Sequence, residues 1–472
     1  MSLSGALNSA TAGLHTTQGQ SRIAADNVSN AMTPGYVRRE AVLVTASGGQ
    51  GGAVISEVRR EVDATLQRMS RLENSRMAQY QSIQEGLTTY TAYLGQPGDG
   101  TSPADRFNDF QNSLTTLVNM PSSNGAQTSV ALAAEDLVRS VKGAATTLST
   151  TLSDVNMEIR YEVADLNTAL YQLRDLNASG SGFTPGSLEA AQFDEKVDTI
   201  LDQISGIVDT RIHRSSNGSI SLYTVSGAAL LEGRVVQDVT FNPSDGTLMA
   251  GNQDITPFKD GVRGIQHGSL AGLSELKRET IPQFSQQLDE YARGLIQTFE
   301  EADASLAPGE AGLFTDNGIA FDPANITGLA SRLQINSKIS STGDAEVWRI
   351  RDGLGATSPG AGSETVQINA FLAGLDTAMN AATGTGIPAE VTLRDFSAEM
   401  ITSQAATRAR AENDFNAAAS AAEVVMSARR NSEGVNIDDE MQQLLLIEQS
   451  YAANSRVLTA VSEMIDTLIA AV

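Results

Sequence analysis

A chain of 472 residues with 41% apolar side chains has material for two to four domains with proper cores. Its 56 acidic residues outnumber 32 basic ones, and the net charge of −24 argues against nucleic acid or an anionic membrane as partner. No run of about 18 apolar residues exists to span a bilayer, and the absence of cysteine suits passage through an oxidising compartment.

Residues 1–30 open the chain with a leaky helical seam. Leu7, Leu14 and Val28 lie at seven-residue spacing, with Leu3, Ala10 and Ala24 in a companion row. Gly5, Gly13 and Gly19 each weaken it by about 1 kcal/mol against Ala, so it is expected to be marginal without a partner. Thr33-Pro34-Gly35 should end the helix, because the residue before proline is pushed out of helical space. No basic patch precedes an apolar run here, so no cleaved secretory signal is expected.

Arg38 to Val58 alternates around the Gly-rich stretch 48–52 and reads as two extended segments. Helix is expected from about Val58 to Leu94, ending at Gln96-Pro97-Gly98. A short helix should carry Phe107, Phe110, Leu114 and Leu117. From Ala126 to Asn177 an apolar stripe continues without proline for about fifty residues, long enough to need a bundle or coiled coil. Another helix should run to about Val208. Strand-like runs follow between Ile212 and Met249, punctuated by Asn217-Gly218 and Asp245-Gly246. Helix resumes from about Ser274 to Ser305 with Phe284, Leu288, Tyr291, Leu295 and Phe299 on one face. Residues 306–390 are mixed and loop-rich, and Leu393 to Arg430 is helical again.

The last stretch is the most regular. Ile437, Leu444, Tyr451, Leu458, Ile465 and Val472 recur every seven residues, with Ile447, Asn454, Val461 and Leu468 in a second row. The two rows form one stripe, as in a coiled-coil seam. Asn436 can cap it, and Asp438, Asp439 and Glu440 suit its first turn. About 36 uninterrupted residues at 1.5 Å each make a rod of about 54 Å. Its partner must be an earlier segment or another molecule.

Chemistry is missing by comparison. The three histidines are scattered, and there is no zinc-binding helix, nucleophile elbow, phosphate loop or calcium ladder. Glu300, Glu301 and Asp303 read as a solvated helix face. No enzyme, metal or cofactor is expected.

Both ends carry motifs. Ala25-Asp26-Asn27-Val28-Ser29-Asn30, continuing through Thr33-Pro34-Gly35-Tyr36, resembles the N-terminal signature of bacterial flagellar rod, hook and hook-associated proteins. Ser450-Tyr451-Ala452-Ala453-Asn454-Ser455-Arg456-Val457 resembles their C-terminal signature. Tyr36-Val37-Arg38-Arg39, Gly268-Ser269-Leu270-Ala271-Gly272-Leu273 and Gly434-Val435-Asn436-Ile437 point to the members at the hook–filament junction. The resemblance implies a subunit exported without a cleaved signal through the flagellar type III apparatus and assembled with itself in an extracellular ring. Hook protein would lie below, the next junction protein above, and a cytoplasmic chaperone would first hold the C-terminal helix.

The expected fold is α+β and mainly helical, with the N- and C-terminal helices paired as a coiled coil. Residues 1–35 and 436–472 would make that terminal domain. A helical bundle would comprise 36–205, 263–308 and 391–435, and 206–262 would form an inserted β-rich tip, with 309–390 as an optional second contribution. The expected assembly residues are Leu7, Leu14, Asn27, Val28, Asn30, Pro34, Gly35 and Tyr36 at one end. At the other they are Ile437, Leu444, Ile447, Tyr451, Asn454, Leu458, Val461, Ile465 and Leu468. Three rivals remain at this stage: a hook or distal rod protein of the same family, whose loss would remove the hook itself; a secreted adhesin or ligand-binding protein acting through 206–262; and a peptidase embedded in that β unit, disfavoured by the missing zinc helix.

Overall fold

The computed structural model describes residues 3–45, 51–95, 99–180, 182–215, 218–341, 343 and 345–470; Gly48, Gln96, Pro97, Gly98, Asn217 and Val472 lie outside them. Helix α1 (Leu3–Asn30) leads into an antiparallel hairpin of β1 (Arg39–Thr45) and β2 (Ala53–Arg60), with a register shift between Val42 and Leu43. Helix α2 (Ala64–Leu94) begins six residues later than the sequence suggests. Arg59 and Arg60 stay in the strand ladder, and Asp63 caps the helix by accepting from the Thr65 and Leu66 amides.

Helix α3 (Pro103–Asn119) starts with Ser102 as cap and proline in its first turn, where no donor is lost. Helix α4 (Asn124–Gly180) has 57 residues, about 85 Å at 1.5 Å per residue. It is the spine of the body, and α5 (Leu188–Ile207), capped by Ser187, returns beside it. The strands that follow are β3 (Thr210–Arg214), β4 (Ile220–Thr224), β5 (Ala229–Glu232), β6 (Val235–Val236), β7 (Val239–Asn242), β8 (Thr247–Ala250) and β9 (Gln253–Asp254). They form a four-stranded sheet in the order β3-β4-β5-β6 and a three-stranded sheet β7-β8-β9.

Two asparagines of α4 hold these sheets. Asn167 exchanges hydrogen bonds with both backbone groups of Val239 at 2.8 Å. Asn177 accepts from the Ile220 amide and donates to the Ile220 and Gly233 carbonyls. The inserted β stretch therefore lies along the second half of α4. Its Leu222, Leu231 and Leu248 belong to the same apolar core as the bundle.

Helix α6 (Ser269–Glu275) is joined to α7 (Ile281–Glu301) through a π turn at Leu276–Thr280, so this helix starts earlier than expected and carries a wide turn. Pro282 explains the wide turn: it has no N–H to donate, and its ring would collide with the preceding turn of a regular α-helix. The remaining elements are β10 (Phe314–Asp316), α8 (Leu329–Arg332), β11 (Leu333–Ile335), α9 (Arg349–Asp352), α10 (Val366–Leu375), β12 (Ala378–Asn380), β13 (Glu390–Thr392), α11 (Leu393–Glu433) and α12 (Ile437–Ala470). Strands β10–β11 and β12–β13 pair only with each other, so 306–390 adds no described strand to the sheets of β3–β9.

Phe110 packs edge-on to Phe314, and Phe299 lies among Phe110, Phe314 and Phe371 with ring centroids 4.9–5.5 Å apart. A buried amide chain crosses this body: Tyr90 donates to Gln404, Gln404 to Gln287, and Gln287 to the Thr385 carbonyl. It pins the register of α2, α11 and α7, because each slip would leave an amide unpaired. Two acids expected on a solvated face are not there. Asp303 is buried, accepting from Ser305 and the Leu354 amide, while Glu300 accepts from the Phe321 amide.

Where the terminal helices meet the body, arginines and carboxylates replace apolar packing. Asp198 of α5 accepts from Arg60 at 2.7 Å and from Arg71 at 3.0 Å, with Gln67 beside it. Burial alone would raise the Asp198 carboxyl, but the two guanidinium groups outweigh it and hold its pKa below the ordinary value. A depressed carboxylate stabilises the fold above its unfolded pKa of about 3.9 and loses that contribution as pH falls through the folded value. Below about pH 4, hydrogen exchange of β2 and the start of α2 should therefore accelerate, whereas at neutral pH it should not change with small pH steps.

Candidate assembly site: the terminal helix pair

Helices α1 and α12 pack against each other along their length in antiparallel register. Gly13 sits opposite Asn454, and the turns of Thr17, Ser21 and Ala25 face Leu444 and Met441. A Cβ at Gly13 would lie 2.7–2.9 Å from the side-chain atoms of Asn454, so this glycine is what lets the two helices approach. Gly19 does the same for the hairpin: Ile55 Cδ1 would lie 2.5 Å from its Cβ. The Thr16 hydroxyl adds a hydrogen bond to the Ala53 carbonyl at 2.6 Å. The glycines that weaken α1 in isolation are therefore contact points in the folded chain.

Just beyond α1, the signature residues form a knot. Asn27 is 1% exposed, donates to the Arg39 carbonyl at 2.9 Å, and accepts from the Arg39 amide at 3.1 Å and the Tyr36 hydroxyl at 2.9 Å. Burial pushes the Tyr36 hydroxyl up to about 12, so it remains a donor across ordinary pH. Gly35 takes φ +79°, a conformation that glycine adopts without strain. The Arg39 guanidinium lies 4.9 Å from the centre of the Tyr36 ring. One amide thus ties the helix exit to the first strand. Asn27→Ala should leave three polar groups unpaired, at about 1–3 kcal/mol each when buried. The expected result is loss of hydrogen-exchange protection in 27–45 with an unchanged melting of the body.

With this geometry in place, two family models match, one on the body and one on α12. Residues 87–306 match the flagellar hook-associated protein FlgK helical domain, and residues 431–471 match the flagellar basal body rod FlgEFG protein C-terminal family. Flagellar hook-associated protein 1 of Bacillus subtilis is 24% identical over an alignment covering 98% of this chain and 96% of that protein. The chain is similar to flagellar hook-associated proteins over almost its whole length.

The protein of the same name from Salmonella typhimurium is also 24% identical, over 63% of this chain and 56% of its own length. A solved structure, the flagellar hook junction protein FlgK from Burkholderia pseudomallei, shares 18% identity over 53% of this chain and 47% of that one, with a TM-score of 0.44. As in that family, the chain is a structural flagellar component and mainly helical.

The expected assembly residues divide into two groups. Ile447 and Val461 are buried between α1 and α12, and Asn454, Leu444, Leu458 and Ile465 are half-buried beside them. Leu7, Leu14, Val28, Asn30 and Tyr36 are half-buried, while Pro34 and Gly35 are exposed. Ile437, Tyr451 and Leu468 are not enclosed by α1: they are 44%, 49% and 56% exposed. In the register set by Gly13 and Asn454, Leu468 runs past the start of α1, Ile437 lies opposite its last residue, Asn30, and Tyr451 stands at the lip of the groove.

The second row has a head that sequence reasoning missed. Glu440, seven residues before Ile447, is 1% exposed and accepts from Arg38 Nε at 2.8 Å. Heptad spacing carried one step back would have found the position, but a carboxylate there read as a first-turn acid. Its partner lies 402 residues away in the sequence.

Proposed function

We propose that this chain is the adaptor between hook and filament, assembling with itself as a ring whose inner layer is the α1–α12 pair. The observation that carries the reading is the exposed flank of α12. Its Leu446, Val457 and Met464 are exposed on a stripe beside the one that α1 covers, and Leu445 and Ile469 are exposed as well. An apolar arc wider than one partner covers calls for a second partner, and a neighbouring subunit can supply it. Hook protein on one side, the next junction protein on the other, and a chaperone shielding α12 before export suit that exposed face. The working protein is then an exported structural subunit outside the cell. No described helix is long and apolar enough to cross a membrane.

Electron microscopy of a strain lacking the chain tests this directly. Hooks without filaments, restored to filaments by the intact gene, are expected. Absence of hooks would assign the chain to the hook or rod instead, and normal filaments would remove the junction role.

A further inference from the structure

The apolar core of the body runs from Ile83 to Ala411, and among the described residues it includes none from α1, β1, β2 or α12. The terminal pair is therefore not welded to the body by a shared core. Directional ion pairs stand at the boundary instead. Arg39, next to the signature knot, pairs with Glu195 of α5. Arg60, at the end of the hairpin, pairs with Asp198 one turn further along α5. Arg71 of α2 bridges Asp198 and Asp202, and Arg429 of α11 joins Asp202 at 2.8 Å to Glu433 at 2.8 Å. Glu433 also accepts the Asp63 amide through its carboxylate, and its carbonyl accepts the Arg38 amide. Arg38 closes the circuit on Glu440 of α12.

Positive and negative groups balance, and most of these side chains are largely buried. Buried ion pairs add little net stability over apolar packing of the same volume, so stability alone does not account for them. Guanidinium–carboxylate pairs do fix relative direction, because both groups are planar and their hydrogen bonds are oriented.

We infer that α5 is the bracket that sets the direction in which the terminal pair leaves the body, with Glu195, Asp198 and Asp202 as its positioning residues for assembly. This rests on the adaptor reading, since a ring requires every subunit to present its inner rod at the same angle. None of the three carboxylates lies in either terminal signature. The short link Gly434-Val435-Asn436 between α11 and α12 has no regular structure and would permit other angles if the ion pairs were absent.

The chain has no native cysteine, so Ser450→Cys on α12 and Glu412→Cys on α11, both exposed, can carry a pair of spin labels in the full-length protein. Pulsed electron resonance should give one narrow distance. The Glu195→Gln/Asp198→Asn variant should lose that single peak and give a broad distribution, with the helical circular dichroism of the body unchanged. Asp198→Glu should retain the narrow peak. Removal of the exposed Arg139–Asp136 pair by Arg139→Gln should change nothing.

A peak that stays narrow in the double variant overturns the inference. So does a cooperative loss of helicity, because the carboxylates would then hold α5 itself together. Filaments that grow normally from a variant with a broad distribution would overturn the positioning role. The distance is read on the isolated chain, so its result stands apart from whether the adaptor reading survives microscopy.

Discussion

Val461→Asp is expected to separate α1 from α12 and to abolish filament growth while leaving the body folded. Val461 is 3% exposed and continues the row of Ile447 and Asn454. Burying such a side chain contributes about 1.5–3 kcal/mol, and a carboxylate there would also lie without a partner, which adds a penalty of similar or larger size. The body's core contains no residue of either terminal helix, so its melting should match that of the unaltered chain. Hydrogen exchange should lose protection in both 3–30 and 437–470 together, since each is the other's partner. Leu458→Asp should act in the same direction but less severely in the monomer, where Leu458 is half-buried. Its full effect should appear on assembly. Thr459, exposed and off both rows, should tolerate the same change. Exchange lost at only one end would contradict the pairing.

Gly13→Val is the second large effect, and its sign is not obvious from helix propensity. Replacing glycine inside α1 should stabilise the isolated helix, by up to about 1 kcal/mol for Ala and less for the β-branched Val. The new Cβ would, however, stand under 3 Å from the Asn454 side chain, and overpacking of this kind costs about 1–3 kcal/mol or more. The clash wins for valine, whose two methyl groups cannot both be accommodated. Pairing should weaken, and filaments should shorten or disappear. Trimming the opposing side chain reverses the argument. Gly13→Ala combined with Asn454→Ala should pair better than Gly13→Ala alone, and the non-additivity in a double-mutant cycle measures the contact.

Much of the helical framework was legible in the sequence because a helix buried along one face records its own period. The stripe from Val130 to Leu173 places α4 within a few residues, and Phe107, Phe110, Leu114 and Leu117 place α3. What failed to show were features set by distant partners. Arg59 and Arg60 look helical in a charged run, but their hydrogen bonds go to β1, so α2 starts late. Gly13 and Gly19 read as weaknesses because Asn454 and Ile55, which occupy the space above them, are remote in sequence. The ion pairs between α5 and four other elements left no periodic trace at all, since each carboxylate also fits a wet helix face. In the terminal seam Ile447 and Val461 of the second row are buried with Glu440 at their head, while Leu444, Leu458 and Ile465 of the first row are half-buried and Ile437 and Tyr451 are exposed.

The central claim is that the two ends of one chain pair with each other inside the assembled flagellum. Gly13→Cys with Asn454→Cys tests it most directly, in a protein without other cysteines, at positions whose side chains would touch. In flagella purified from cells carrying the double variant and then oxidised, the account predicts a disulfide within each chain, seen as a faster-migrating monomer that reverts on reduction. Cross-linked dimers in place of that monomer, or no disulfide from either state, would contradict it.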